Sequence, residues 1–376
     1  MIVRNFKHLA FVTLPSLFVF AVLCELFFRF VIPACEIPYT YFDPDDQILR
    51  FDTHAPREGI VTTGKFAQQR SRWRINNYGW NSAIDYVPFP QRTKPLIAII
   101  GDSYIEGFHV NVEDHLSAVL GELVKDDYDV YSFGLSGMPL SQYLQVSRYV
   151  NRHFRPEVLV FNMIHNDFDE SVRDLMDFPY FLQLTYKNGE FFEAPPDPYR
   201  PSAKRRILRK SALVRYMWLN LQMQFTLRQI LDKPSKDNFN ANIDVKKATD
   251  NSEIIEGATF FLIKKIREEN PDKKLIFMID GPRNDIYSGI TYNSNVLWIH
   301  NLLREACAQN NSYFIDLTQA FSEKFNQEGL KFNSDHDFHW NEVGHRVAAH
   351  ALYKSLIEFG LIPSLYPVSF IESATE

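Results

Sequence analysis

Cysteine is scarce in this sequence: its 376 residues hold three, Cys24, Cys35 and Cys307. An odd and widely spaced set builds neither a disulfide framework nor a zinc pattern. Cys24 lies in an apolar run, so Cys35–Cys307 is the one conceivable bridge. A surplus of positive charge is also missing. The formal net charge is −6, which gives no reason to expect a nucleic-acid partner. Internal repeats and low-complexity tracts are absent as well, which sets aside repeat architectures.

The composition that remains is that of a folded protein. It is 45% hydrophobic, enough for one large domain or two small ones with a sizeable core. Phe (32) and Tyr (18) are abundant, as suits a chain that also meets a membrane or a carbohydrate.

The N-terminus carries a long apolar run. Leu9 to Phe28 contains a single charge, Glu25. At ~1.5 Å per residue such a helix covers the ~30 Å hydrocarbon layer of a bilayer. Arg4 and Lys7 precede it; Glu36, Asp43, Asp45 and Asp46 follow. The positive-inside rule then leaves the N-terminus in the cytoplasm and the rest outside. Glu25 and Arg29 stand four apart and are placed to pair on one helix face. A cleaved signal peptide and a buried soluble helix are the alternatives. The length of the run and the lack of an A-x-A site favour an uncleaved anchor over residues 1–35.

Residues 36–94 are polar, aromatic and turn-rich, and read as an extended lead-in packed on the main domain. From residue 95 short apolar runs recur: Leu96–Ile100, Val130–Phe133, Val158–Ile164, Leu275–Ile279 and Tyr313–Ile315. Each is of strand length and bounded by turn signals. Helix patterns lie between and after them, at 114–125, 141–152, 252–269, 293–309 and 342–359. That alternation predicts an α/β fold, a parallel sheet covered by helices on both faces. The domain runs over 95–362, with a tail at 363–376. Residues 168–251 are too long for a simple crossover and read as a helical insertion, including a long amphipathic helix over 201–231.

Ligands of an open parallel sheet sit beyond the carboxyl ends of its strands. Strand one ends in Gly101-Asp102-Ser103. Strand two ends in "SFGLSGM", with Gly134. Strand three ends in "IHND", with Asn166 and Asp167. Near the C-terminus "SDHDFHWNEVGH" supplies Asp335, Asp337, His339 and His345. A serine needs a base to take its proton, an acid to orient that base, and donors aimed at the oxyanion. Ser103, His339, a neighbouring Asp, the Gly134 N–H and the Asn166 amide supply these parts. Singly, each has a plainer reading: Ser103 at a helix cap, Asn166-Asp167 as a turn, the Asp/His stretch as a metal site. Their order and strand-end positions together favour catalysis.

The set resembles the SGNH, or GDSL-type, hydrolases over roughly residues 95–360. Gly101-Asp102-Ser103 matches the nucleophile block, Gly134 the second, Asn166-Asp167 the end of the third, and Asp337 to His345 the D-x-H-W-N form of membrane-associated branches. "RINNYGWNSAIDY" is similar to a segment preceding the nucleophile in bacterial exopolysaccharide-associated members. The resemblance implies a three-layer α/β/α fold with a flavodoxin-like parallel sheet and a serine esterase. It makes Ser103, Asp337 and His339 the triad, with Ser103, Gly134 and Asn166 as the oxyanion hole. It requires neither cofactor nor metal. Two departures stand out. Ile164 replaces the glycine that opens the third block. The acid is Asp337, two before His339, or Asp335, four before it; the D-x-H-W form favours Asp337.

The resemblance and the anchor together imply an extracytoplasmic enzyme that removes an O-acyl group, acetyl above all, from a carbohydrate or cell-envelope substrate. An O-acyltransferase with the same triad and a non-catalytic glycan-binding protein are the competing expectations. Lys204, Arg205, Arg206, Arg209 and Lys210 crowd the start of the inserted helix, where the helix dipole disfavours cations. Local acids or an anionic surface are the expected partners.

Overall fold

The computed structural model describes residues 9–203, 206, 209–221, 239–333 and 338–362. The apolar run forms a helix, α1 (Leu14–Phe30), continued from a π-helical turn at Leu9–Thr13. Among the described residues, Phe11–Phe30 is the one helix long and apolar enough to cross a membrane; its mean hydropathy is 2.2 and none of it is buried. Glu25 and Arg29 pair at 2.5 Å as their spacing predicts.

The lead-in folds into two antiparallel hairpins, β1 (Thr40–Asp43) with β2 (Ile48–Phe51) and β3 (Glu58–Thr63) with β4 (Gln69–Arg74). The sheet domain begins at β5 (Leu96–Gly101), followed by α2 (Ser103–Glu106) and α3 (Leu116–Leu123). Next come β6 (Asp129–Gly134), α4 (Leu140–His153), β7 (Val158–Met163) and α5 (Asn166–Asp169). The insertion holds a hairpin, β8 (Gln183–Lys187) with β9 (Glu190–Ala194), then α6 (Ala212–Arg215) and the short pair β10 (Phe239–Asn240) and β11 (Ile243–Asp244). After α7 (Val245–Asp250) and α8 (Ser252–Glu269) run β12 (Lys274–Ile279), α9 (Arg283–Tyr287), α10 (Leu297–Gln309), β13 (Tyr313–Asp316), α11 (Leu317–Glu328) and α12 (Glu342–Glu358).

Five strands make one parallel sheet in the order β13-β12-β7-β5-β6. Numbered along the chain that is 2-1-3-4-5 read from the other edge, the flavodoxin-like order. All six residues of β5 and all six of β7 are buried, because helices cover both faces. Leu96, Ala98 and Ile100 meet α4, α8 and α10. Ile97 and Ile99 point the other way, to α3, α11 and α12. This is the period-two alternation of a strand between two apolar layers. Trp73, Trp80 and Tyr86 of the lead-in share the first of these cores. Tyr86 stacks on Tyr131 at 4.0 Å and donates its hydroxyl to the Ser132 carbonyl at 2.7 Å.

Three details depart from the sequence reading. Helix α11 has no counterpart in it. Its apolar stripe is one residue wide, Leu317, Phe321 and Phe325, and its start is set by the Asp316 side chain accepting from Thr318 N at 2.9 Å. The long inserted helix is broken among the described residues. Arg209 and Lys210 form a turn, and the Ser211 hydroxyl caps a new helix by accepting from Val214 N at 3.2 Å. Arg209 is therefore not in that helix. It donates to the carbonyls of Ile37 (2.6 Å) and Pro38 (2.8 Å) and lies over the Tyr39 ring. Lys204, Arg205, residues 222–238 and the tail 363–376 lie outside the described residues. Cys35 and Cys307 are separate buried thiols, so the conceivable bridge is not formed.

Candidate active site

Ser103 follows β5 and Asn166 follows β7, the two strands that flank the point where strand order reverses. In open α/β sheets that point is where a crevice opens for ligands. Gly101 pairs with Gly134 on one side and with Asn162 on the other. The register therefore sets the ends of β5, β6 and β7 level, and brings Ser103, Gly134 and Asn166 to one edge.

Asp102 caps the turn that carries Ser103. Its carboxylate accepts from Tyr104 N at 3.0 Å, and its Oδ2 lies 3.2 Å from Ser103 Oγ. Burial lifts its pKa to about 6, against the pull of the Tyr104 and Ser103 donors. Both flanking glycines are needed for space. A side-chain carbon on Gly101 would lie 2.4 Å from Ile105 Cγ1; one on Gly134 would lie 2.2 Å from Glu106 N and 2.4 Å from Ile105 C. Helix α2 thus sits against the strand ends only because both residues lack a Cβ. The close contact is with α2, which holds Ser103.

His339 lies in the loop before α12. Its Nε2 is 2.7 Å from Ser103 Oγ, although 236 positions separate them in the chain. Several groups fix that loop. Tyr104 donates its hydroxyl to the Phe338 carbonyl at 3.0 Å. The Trp340 indole N–H donates to Asp280 Oδ1 at 3.0 Å. Arg283 bridges these two: its Nε donates to Asp280 at 3.1 Å and its Nη2 to the Tyr104 hydroxyl at 2.6 Å. Asn341 N donates to the Phe332 carbonyl at 2.8 Å, and the Asn341 side chain caps α12 by accepting from Gly344 N at 3.0 Å. The His339 ring is stacked on His109, centroids 3.7 Å apart and planes within 10°. Asp335 and Asp337, the two candidate acids, lie outside the described residues, as does His336.

The Asn166 amide is held at both ends. Its Oδ1 accepts from Asn242 Nδ2 at 2.8 Å, and its Nδ2 donates to Glu170 at 2.9 Å. An amide nitrogen carries two hydrogens, so the bond to Glu170 uses one of them. Asp167 closes the same turn, its Oδ2 accepting from Ile164 N and the Tyr143 hydroxyl, each at 2.8 Å. Ile164, in place of the family glycine, is buried in the core with α9 and α12. Burial raises the Asp167 carboxyl well above its ordinary range, with nearby Asp102 adding to the effect, and raises Glu170 to about 7.

Sequence reasoning missed Tyr104, Asp280, Arg283, Glu170, Asn242 and His109. Asp280 and Arg283 were within reach, since Asp280-Gly281 ends the fourth strand as Gly101-Asp102 ends the first. Glu170 stands one helical turn after Asn166, whereas Tyr104, Asn242 and His109 act across the chain, and no local pattern marks them.

A family model described as GDSL-like lipase/acylhydrolase matches residues 97–352. No curated protein matches the chain. Among solved structures, the chain is similar at low identity to the acetyl xylan esterase AlAXEase: 13% identical, 69% of this chain and 99% of that one covered, TM-score 0.38. The lipase/acylhydrolase from Enterococcus faecalis is 12% identical, over 70% of this chain and 95% of that one, TM-score 0.38. A carbohydrate acetylesterase family member from Sinorhizobium meliloti is 10% identical, over 70% and 97%, TM-score 0.34.

Proposed function

The chain belongs to the GDSL-like lipase/acylhydrolase family and is a hydrolase of ester bonds; from that premise we propose that it works as a membrane-anchored serine esterase through an acyl-serine intermediate. The observation that carries this reading is the 2.7 Å contact between His339 Nε2 and Ser103 Oγ. A base within hydrogen-bond reach of a hydroxyl at a strand end is the arrangement a serine nucleophile requires.

In this mechanism His339 Nε2 takes the Ser103 proton as Oγ attacks the ester carbonyl carbon. The carbonyl π pair moves onto oxygen, where the N–H groups of Ser103 and Gly134 and the free Asn166 amide hydrogen stabilise it. Collapse of the tetrahedral species breaks the bond to the alcohol oxygen, which leaves with the proton from His339. Water, deprotonated by the same imidazole, then attacks the acyl-serine; the second tetrahedral species breaks its bond to Ser103 Oγ, which takes the proton back from His339 as the acid leaves. Asp337 holds the imidazole in the tautomer that leaves Nε2 free to accept.

The substrate class proposed is an O-acylated carbohydrate or other cell-envelope ester outside the cytoplasmic membrane. Support for a retained anchor comes from the contacts of α1. Glu25 accepts from Ala212 N and Leu213 N, each at 2.9 Å, and from the Ser211 hydroxyl at 2.8 Å. Phe28 stacks on Tyr216 at 3.7 Å. Cleavage after α1 would strip the helix α6 start of these partners. The test is turnover of an aryl acetate and of an O-acylated glycan by the full-length protein. Brief incubation with the aryl ester and intact-mass measurement should show one acyl adduct, absent in Ser103→Ala. Undiminished turnover by Ser103→Ala would overturn the assignment.

A further inference from the structure

Two segments of the chain grip the end of the apolar helix. One is α6 with the π-helical turn that continues it, Tyr216–Asn220. Ala212 N donates to Glu25, the Tyr216 ring lies on Phe28, and Asn220 accepts from Cys35 N at 3.0 Å. Ala212 to Asn220 therefore climbs beside α1 from Glu25 to just past its end at Phe30. The other segment is the hairpin of β3 and β4. Thr62 donates its hydroxyl to the Pro33 carbonyl at 2.9 Å, and three residues on the Lys65 carbonyl accepts from the Tyr216 hydroxyl. Because Tyr216 is stacked on Phe28, the hairpin runs from Pro33 at Thr62 back to the level of Phe28 at its tip. Both segments carry bare apolar side chains. Phe66, at the hairpin tip, is 68% exposed; Trp218, in the π-helical turn, is 53% exposed, with exposed Met217 beside it.

We infer that Phe66, Met217 and Trp218 enter the head-group layer of the bilayer that α1 spans, so that the domain rests on the membrane surface through two segments besides its tether. The inference rests on the membrane-anchored reading of α1. Depth is the first support. From Glu25 to Phe30 the helix rises about 7.5 Å, close to the thickness of one head-group layer, roughly 5–7 Å per side. The Glu25–Arg29 pair marks that layer, because charge deeper in hydrocarbon is costly. The contacts with Phe28 and Cys35 set the hairpin tip and the π-helical turn at the same height. Chemistry is the second support. Aromatic rings concentrate at membrane–water interfaces, tryptophan above all. Lys65 adjoins Phe66, and Lys210 precedes α6 with its carbonyl accepting from Arg29 Nη2 at 3.1 Å. Both lysines are exposed, and each joins an apolar stem to a cation that suits a lipid phosphate. Continuity is the third. Leu26, Phe27 and Phe30 of α1 are exposed as well, so the lipid that surrounds the helix there also meets the two segments.

The test uses the full-length protein in nanodiscs of phosphatidylcholine, either plain or brominated on the acyl chains close to the glycerol. Of the five tryptophans, Trp73, Trp80 and Trp340 are buried and Trp298 is packed against the core, which leaves Trp218 to report contact with lipid. Brominated lipid should quench the protein's emission, and Trp218→Phe should remove most of that quenching. Adding Phe66→Trp to Trp218→Phe should bring it back from the other segment. Both positions are exposed, so the melting temperature should hold in each variant. Absence of lipid quenching in the unaltered protein, or quenching that ignores either substitution, overturns the inference. So does a Trp218 that is shielded from iodide and yet unquenched by lipid, which would put a second copy of the chain on this face. Extraction of membranes carrying the protein with alkaline carbonate tests the anchor separately. Retention with an unquenched Trp218 overturns the inference alone; release into the supernatant overturns the anchor reading and this inference with it.

Discussion

Removal of a single oxygen, in Tyr104→Phe, separates the part of the site that does chemistry from the part that holds it in place. Tyr104 is 1% exposed, follows Ser103 directly, and packs its ring 4.8 Å from His339 and 5.2 Å from Trp340. The substitution keeps that ring and deletes two hydrogen bonds, one accepted from Arg283 and one donated to the Phe338 carbonyl. Each buried group left without its partner costs roughly 1–3 kcal/mol of stability. The Phe338 bond bears most directly on the loop that carries His339. Its net worth of roughly 0.5–1.5 kcal/mol converts to a fall in kcat of about 2- to 12-fold, if the loop drifts from its productive position to that extent. KM should change little, since nothing that contacts substrate is removed. The assay is steady-state turnover of an aryl ester, with the rate of fluorophosphonate labelling as an independent report on the Ser103–His339 contact. Both rates should fall together. A lower melting temperature with unchanged kcat would show that the hydroxyl serves stability alone. A loss beyond about 10³ would mean that Tyr104 touches the reacting atoms, and the positioning argument would be wrong.

Asn166→Ala should lower kcat by about 10²–10³ if its free amide hydrogen meets the oxyanion; a loss under about threefold would make Asn166 structural. Asp337→Ala should reduce turnover far more than Asp335→Ala, because only the acid that orients His339 stabilises its charged form, and the reverse ranking in parallel kinetics would move the triad to Asp335. The Glu106 carboxyl is lifted by burial from 4.5 to about 7, against the pull of the Ser136 donors. The folded state then holds that proton more tightly than the unfolded chain. Its contribution is full below about pH 4.5 and is lost as pH rises toward 7, an effect of at most about 3 kcal/mol. Glu106→Gln should flatten that decline in melting temperature between pH 4.5 and 8, and parallel slopes in the two proteins would contradict the account.

How much of this was legible in the sequence follows from the range of each interaction. The five strands show themselves because each is a short, mostly apolar run ended by a turn residue; β5 and β7 are buried along their whole length, while the edge strand β13 is only partly buried. Helix α11 escaped because three apolar residues at spacing four make too narrow a stripe to stand out. The inserted helix was read through its break because Arg209 and Lys210 are good helix formers; the turn there is set by Arg209 reaching the carbonyls of Ile37 and Pro38, far away in sequence. The site divides in the same way. Ser103, Asn166 and His339 are visible as polar residues at strand ends and in a motif. The network from Arg283 through Asp280 and Tyr104 to the His339 loop exists only once three segments meet, and the stacking of His109 on His339 likewise needs the fold.

The central claim is that Ser103 is a nucleophile activated by His339. The measurement that tests it most directly is labelling of the folded, full-length protein with a fluorophosphonate, followed by peptide mapping. A single adduct on Ser103 is predicted, absent in Ser103→Ala and slowed by orders of magnitude in His339→Ala. An unmodified Ser103 in protein that still turns over an aryl ester, or a label on a different residue, would contradict it.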